Sequence, residues 1–123
     1  MPYIDGFVMA VPRENKQEFV EYARLMDSLI IDFGALRVME CWEDDVNPGD
    51  KTDMRRAVDA EEGEAVVFSW VEWPDKETRQ RGHEQMQELM RSGDERFMQD
   101  KTPAPFDGSR MIFGGFTPAL SLP

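Results

Sequence analysis

Two apolar runs on either side of an acidic stretch restrict what this chain can fold into. The runs extend from Ala35 to Trp42 and from Ala65 to Trp73, and both are rich in the β-branched and aromatic residues that favour strands. In the second run both alternating positions are apolar over most of its length, so both faces of that strand need a cover. The sequence therefore predicts a sheet that is covered on two sides.

Four segments have the character of strands. The first, from Tyr3 to Val11, is apolar on both faces and is stopped by Pro12. We place the second at Ala35 to Glu43, the third at Glu64 to Trp73 and the last at Arg110 to Pro118. In the last strand, two adjacent glycines predict a bulge or a close approach of another group to the backbone: Gly114 and Gly115.

The first helix is predicted from Lys16 to Phe33. Asn15 and Glu18 have the spacing of an N-cap with a capping box, and Gly34 is the expected stop. Apolar residues recur at helical spacing between these limits: Phe19, Ala23, Met26, Ile30 and Phe33.

A second helix is predicted to begin after Asp75 as N-cap and to end at Gly93. Gly82 lies on its apolar face, where the lack of a side chain would let the helix lie close to the sheet. Two shorter segments are less regular. Asp53 to Val58 suits a short extra strand or a turn, and Asp94 to Asp100 suits a short helical turn.

The predicted order is βαββαβ in a single domain spanning residues 1–123. This order is typical of an α+β fold of the ferredoxin-like kind, with a four-stranded antiparallel sheet and both helices on one face. The other face would then expose large apolar side chains. A second copy of the chain is the simplest cover, and two sheets packed face to face would form a homodimeric α+β barrel.

The net charge limits the classes of partner that we expect for this chain. The chain has 14 basic and 25 acidic residues, a net charge of -11, so we expect neither nucleic acid nor a membrane surface as a partner. Cys41 is the single cysteine, which excludes an internal disulfide and fits the cytoplasm. The first residues include an acid at Asp5 and no long apolar run, so we expect no signal peptide and no membrane span.

Several separate motifs, in order along the chain, resemble the bacterial YbaA-like family, a domain-of-unknown-function family. They cover nearly all of the sequence: Asp5-Gly6-Phe7-Val8, Ala10-Val11-Pro12, Gly34-Ala35-Leu36-Arg37-Val38, Glu40-Cys41-Trp42, Thr52-Asp53, Arg55-Arg56-Ala57-Val58, Glu61-Glu62, Val66-Val67-Phe68-Ser69-Trp70, Pro105-Phe106-Asp107-Gly108, Arg110-Met111-Ile112 and Gly114-Gly115-Phe116. The resemblance implies a dimeric α+β barrel. It implies no reaction, because related barrels include cofactor-free monooxygenases, haem-degrading enzymes and binding proteins.

Glu40 stands out among the polar residues of the strands. Alternation places it on the face of Leu36, Val38 and Trp42, where an apolar residue is expected. A buried carboxylate needs a partner, which Arg55, Arg56 or Arg110 would supply. Two interpretations stay open: an ion pair that sets the register of a dimer interface, or a carboxylate that orients a ligand or transfers a proton.

The leading hypothesis is a homodimer that binds a small organic ligand between sheet and helices or between protomers. Its candidate ligand-binding residues are Arg37, Glu40, Arg55, Arg56, Asp107 and Arg110. One alternative is a cofactor-independent monooxygenase or isomerase for a small aromatic or carbonyl compound, with Glu40 or Asp107 as base and an arginine beside the anion formed. Another is a dimeric interaction module without a ligand.

No metal or cofactor is expected. Asp45 begins an EF-hand-like spacing in the acidic stretch, but Asp50 stands where glycine is required and Arg56 where glutamate is required. The acidic stretch is therefore interpreted as a solvated loop, with a weak, irregular cation site as the alternative. His83, the single histidine, and Cys41 are interpreted as packing residues.

Overall fold

A computed structural model describes residues 1–123 and shows an α+β protein. The strands are β1 (Tyr3–Pro12), β2 (Arg37–Trp42), β3 (Glu64–Trp73) and β4 (Ile112–Phe116), and the helices are α1 (Lys16–Asp32), α2 (Met54–Ala57) and α3 (Lys76–Arg91). Short 3₁₀ turns occur at Arg13–Asn15, Glu95–Phe97 and Gly108–Arg110. None of the helices combines the length and the apolar character that crossing a bilayer requires.

The four strands form one antiparallel sheet in the order β2-β3-β1-β4. The central pair is the longest, because β1 and β3 pair along their whole lengths from Tyr3 opposite Trp73 to Pro12 opposite Glu64. These are the two strands that are apolar on both faces, as an interior position in a sheet requires. The predicted four-stranded antiparallel sheet is confirmed.

Helices α1 and α3 contact the same face of this sheet. Met9, Val11 and Val67 form the main core cluster with Phe19 and Ala23 of α1. At the other end of the sheet, α3 packs on a second cluster, which consists of Ala35, Val71 and Trp73. The nearest approach is at Gly82, since a Cβ there would lie 2.6 Å from Cη2 of Trp73. The close approach predicted for Gly82 is therefore confirmed, and it explains how a helix of otherwise polar character lies on the sheet.

The opposite face of the sheet is only partly covered. At one corner, Val58 after α2 packs on Ala10 and Val66. The rest of that face is open to solvent although it carries large apolar side chains: Phe68 is 44% exposed, Ile112 46% and Phe116 59%. An apolar surface of this kind on a sheet is unusual for a chain that works alone.

Two local predictions differ from the structure. Asn15 does not cap α1: a 3₁₀ turn leads directly into the helix, and the Asn15 amide instead donates to the carbonyl oxygen of Pro105 at 3.0 Å. Asp53–Val58 is neither strand nor open turn, because Asp53 accepts from the backbone N–H of Arg56 and caps the short helix α2. By contrast, Gly34 has φ 115° and ends α1 as predicted.

The paired glycines of β4 do not form a bulge. Pairing with β1 runs unbroken from Ile4 opposite Phe116 to Val8 opposite Ile112. Position 115 requires glycine because the ring of Tyr3 occupies the space that a side chain would fill. The close-approach alternative is therefore the one that the structure confirms.

Candidate functional site in the cleft between α1 and the sheet

Two carboxyl groups face each other across the cleft between α1 and the sheet. Phe19, Ala23 and Asp27 follow each other at intervals of four, which places Asp27 on the buried side of α1. Glu40 alternates with Val38 and Trp42 on β2 and therefore points towards the same helix. One carboxyl thus comes from the helix and the other from the sheet.

Glu40 is anchored from the neighbouring strand. In the register of the sheet it lies directly opposite Ser69 of β3, whose hydroxyl donates to Oε1 of Glu40. Ser69 is itself buried, so this hydroxyl has few other partners. The hydrogen bond fixes the direction of the Glu40 side chain, while the residue as a whole stays reachable by solvent.

The surroundings of Asp27 favour its protonated form. Burial raises the pKa of Asp27, and its hydrogen bond to Glu40 and the negative charge of Glu40 raise it further, to about 9. Two carboxylates at hydrogen-bond distance repel each other unless one is protonated. At neutral pH the pair therefore consists of one neutral acid, which donates, and one carboxylate, which accepts.

An inner cavity of about 140 Å³ opens beside this pair. Its walls are mainly apolar and aromatic, and its polar end is formed by the two carboxyls and the serine. The lining residues are Phe7, Met9, Phe19, Tyr22, Ala23, Met26, Asp27, Ile30, Glu40, Ser69, Val71, Phe106 and Met111. Apolar walls with a few convergent polar groups are typical of small-molecule sites.

An outer groove of about 450 Å³ lies along α1 and β2 and shares the carboxyl pair with the inner cavity. Its basic residues are Lys16 and Arg24. The ammonium group of Lys16 lies 5.3 Å from the ring centroid of Trp42, in a cation–π contact. Solvent therefore reaches the pair through a groove with positive charge at its sides.

Of the six predicted site residues, only Glu40 lines these two cavities. Arg55 pairs with Glu43 at 2.8 Å, and Arg56 pairs with Asp53 at 3.0 Å. Arg110 binds Glu64 at 2.6 Å and Asp107 at 3.1 Å. Arg37 lies opposite Glu72 in the sheet register, on the face away from α1. The structure therefore brings none of the predicted arginines to Glu40.

Arg55 and Arg110, which the sequence assigned to Glu40, instead bind two other acids and so hold the acidic stretch against the sheet. Glu43 accepts from Arg13, Arg55 and the backbone N–H of Val66, and these contacts outweigh burial so that its pKa is lowered. Arg110 lowers the pKa of the buried Glu64 in the same way. Three acids of this segment, Glu43, Asp53 and Glu64, are therefore paired with arginines, while the others of the acidic loop are exposed, among them Asp44, Asp45, Asp50, Asp59, Glu61 and Glu62.

Sequence reasoning missed Asp27 and Ser69. Asp27 stands next to Met26 in the apolar stripe of α1, and a signal was present because it continues the spacing of Phe19 and Ala23. An acid in the apolar stripe of a helix is costly to bury, so such a residue indicates a functional role. For Ser69, the signal was a small polar residue between Val67 and Val71 on the covered face of β3.

A second polar cluster lies between β1 and α3. Asp5 is 3% exposed and accepts from Nε1 of Trp73 at 2.9 Å, from Arg79 at 2.9 and 3.1 Å, and contacts Nε2 of His83 at 3.0 Å. His83 is thus a helix-packing residue, as its place in the helix predicted. No cavity of the size described above opens beside this cluster, so we interpret it as a structural bond between helix and sheet.

The fold and the cleft define a class of protein: an α+β protein with a small apolar cavity that ends in a carboxyl pair. Comparison with known sequences gives the family. The model of the family described as "Protein of unknown function (DUF1428)" matches residues 2–108, so the chain belongs to that family. The predicted YbaA-like resemblance is confirmed.

The match to the relatives covers almost the whole length of both chains. "Uncharacterized protein YbaA" of Escherichia coli K12 is 48% identical over 116 residues, which are 94% of this chain and 95% of the relative. The protein of the same description in Shigella flexneri matches with the same identity and coverage. Neither description states a reaction or a ligand.

Proposed function

We propose that this protein binds a small organic ligand in the cleft between α1 and the sheet. The observation that carries the proposal is the inner cavity, because its apolar walls end in three convergent polar groups, those of Asp27, Glu40 and Ser69.

The lining indicates what kind of ligand fits. At about 140 Å³ the inner cavity takes a single ring or a short chain, and its aromatic walls favour a flat, apolar body. The carboxyl pair offers one hydrogen-bond donor and one charged acceptor at the same end. A small ring compound with one oxygen or nitrogen substituent matches these features.

We further propose that the protein acts as a homodimer in the cytoplasm, one domain per chain. The strand order with both long helices on one face supports ferredoxin-like topology, and the exposed apolar face of the sheet supports a second copy as its cover. Face-to-face packing would give the α+β barrel. The cytoplasmic assignment rests on the sequence, chiefly the single cysteine.

Ligand screening tests the binding proposal directly. Thermal shift with a broad set of small ring compounds and carbonyl compounds should find stabilisers of the wild type that no longer stabilise Glu40→Gln. Glu62→Gln is the matched control, because Glu62 is exposed in the turn before β3 and lines neither cavity. If no compound stabilises the wild type, the dimeric interaction module without a ligand becomes the better description.

A further inference from the structure

We propose that Glu40 and Asp27 form a catalytic acid–base pair, with which this protein isomerises small carbonyl compounds by moving a proton between carbon atoms. Glu40 is the base and Asp27 the acid that holds the carbonyl oxygen. The inference rests on the ligand-binding proposal for the same cleft and adds a reaction to it. In the sequence-based hypothesis an arginine steadied the anion; here Asp27 takes that role, because no arginine forms a salt bridge with Glu40 and Asp27 lines the same cavities.

The first support is the division of roles within the pair. Proton transfer next to a carbonyl needs a carboxylate to take the proton from carbon and a neutral donor to hold the oxygen as charge develops on it. Asp27 and Glu40 both line the inner cavity and the outer groove, so the cleft places two carboxyls side by side, and the raised pKa of Asp27 makes that residue the donor. Asp27, the more enclosed of the two, is the member whose pKa is raised, and Glu40 is the member more exposed to solvent.

The second support is that Glu40 remains free for chemistry. It takes part in no salt bridge, while Glu43, three residues further along the chain, is held by Arg13 and Arg55. The contacts of the Glu40 carboxyl are the Ser69 hydroxyl and Asp27. A carboxylate locked to an arginine would be a weaker base, so the absence of an ion pair suits a proton acceptor.

The third support is the position of the pair at the end of the cavity. A substrate in the inner cavity would present its polar group to the two carboxyls and its ring to the aromatic walls. The apolar surroundings strengthen the hydrogen bond from Asp27 to a developing enolate oxygen. The charged groups that face the pair are Lys16 and Arg24, both in the outer groove.

The reaction balances without a cofactor. The substrate carbonyl oxygen accepts the Asp27 O–H in place of Glu40, which frees the Glu40 carboxylate. Glu40 then takes a proton from the carbon next to the carbonyl: the C–H bond breaks, its electrons form a C=C bond, and the C=O π electrons move to oxygen. Glu40 then returns the proton to the far carbon of a neighbouring double bond: the electrons on oxygen re-form the C=O bond, the new C=C bond shifts by one position, and the electrons of the old double bond form the C–H bond, so that a conjugated ketone results.

The test uses cyclohex-3-en-1-one, a small ring ketone whose conjugated isomer absorbs much more strongly in the far ultraviolet. Wild-type protein should convert the ketone faster than buffer alone does, and NMR in D₂O should show deuterium at the far carbon whenever Glu40 exchanges the proton with solvent before it returns it. Glu40→Gln should lower the rate at least about 100-fold, as loss of a general base does. Asp27→Asn should lower it about 10-fold, because its amide still donates a hydrogen bond.

Glu62→Gln is again the control, because Glu62 is exposed and lines neither cavity. Circular dichroism shows whether each variant is folded. Binding of the ketone without isomerisation or exchange would overturn this inference and leave the binding proposal intact. Failure of this ketone, cyclohexanone and acetophenone to bind or to exchange would overturn both. Activity that persists in Glu40→Gln would also overturn the inference.

Discussion

Gly82 of α3 lies against the indole ring of Trp73, and the contact leaves no room for a side chain. A Cβ at position 82 would lie 2.6 Å from Cη2 and 2.8 Å from Cζ3 of Trp73. The indole cannot turn away freely, because Trp73 is buried and its Nε1 donates to Asp5. The distance between helix and sheet is thus set by a glycine and a tryptophan together.

Gly82→Ala should therefore destabilise the protein although alanine favours helices. Overpacking of this kind costs about 1–3 kcal/mol, against a gain in helix propensity of about 1 kcal/mol. Urea denaturation should show a lower midpoint with an unchanged slope. Gly63→Ala is the control, since no atom lies within 4 Å of a Cβ there. A Gly82→Ala variant as stable as the wild type would contradict the packing described here.

The lowered pKa of Asp5 predicts that the folded protein loses stability in acid. Burial raises its pKa, but hydrogen bonds from His83, Arg79 and Trp73 outweigh burial and lower the pKa below the usual 3.8. A carboxyl with a lowered pKa in the folded protein stabilises it above the unfolded pKa, and this contribution is lost as pH falls through the folded value. The affected window therefore lies below about pH 4.

Asp5→Asn measures this contribution. At pH 7 it should cost about 3 kcal/mol, because it leaves Arg79 beside a neutral partner in a largely buried site. The difference from the wild type should shrink below pH 4, where Asp5 takes up a proton. Asp45→Asn, at an exposed position, should change little at either pH. A difference that stays constant down to pH 2.5 would contradict the assignment.

Much of the fold was predictable because it follows from periodicity. β3 begins and ends at the predicted residues, Glu64 and Trp73, and the end of α1 follows from Gly34. The start of α1 was not predictable in detail. The Asn15 side chain has a partner 90 residues away, the Pro105 carbonyl, and a local capping pattern contains no information about such a contact.

The candidate site was predictable only in part. Glu40 stood out because it breaks the pattern of its own strand. Its partners did not stand out in the sequence. Ser69 meets Glu40 only in the observed register of β2 and β3, and Asp27 meets it only because α1 packs on that face of the sheet. The arginines were assigned to Glu40 by charge alone, and charge does not distinguish Glu40 from Glu43 or Glu64. Tertiary packing decides which acid each arginine reaches.

Phe68→Lys tests the proposed dimer. Phe68 lies on the central strand β3, on the sheet face away from the long helices, and is 44% exposed. A lysine there would put a charge at the centre of a face-to-face interface, while it lowers rather than raises the net negative charge of the chain. Light scattering at micromolar concentration should show a wild-type dimer and a monomeric variant.

Leu36→Lys is the matched control, because Leu36 is more exposed than Phe68 and lies outside that face, in the connection between α1 and β2. It should leave the dimer intact. A monomeric wild type, or a Phe68→Lys variant that remains a dimer, would mean that the exposed sheet face is not the interface.

The raised pKa of Asp27 predicts that folding stability depends on pH in the opposite sense to that expected from Asp5. Its pKa is raised from the usual 3.8 to about 9, by burial first and then by Glu40, so the folded protein holds a proton that the unfolded chain releases. Stability attributable to this group is complete below pH 4 and falls as pH rises towards 9. The carboxyl pair thus costs stability at neutral pH, as groups kept for function often do.

Asp27→Asn should remove this cost. The asparagine amide donates a hydrogen bond to Glu40 at every pH, so the variant should be more stable than the wild type at pH 8, by at least about 1 kcal/mol, and about equal at pH 4. Urea denaturation at both pH values measures the difference, with Asp45→Asn as the control. A variant less stable than the wild type at pH 8 would show that the pair stabilises the fold, and the argument for a functional carboxyl pair would lose its energetic support.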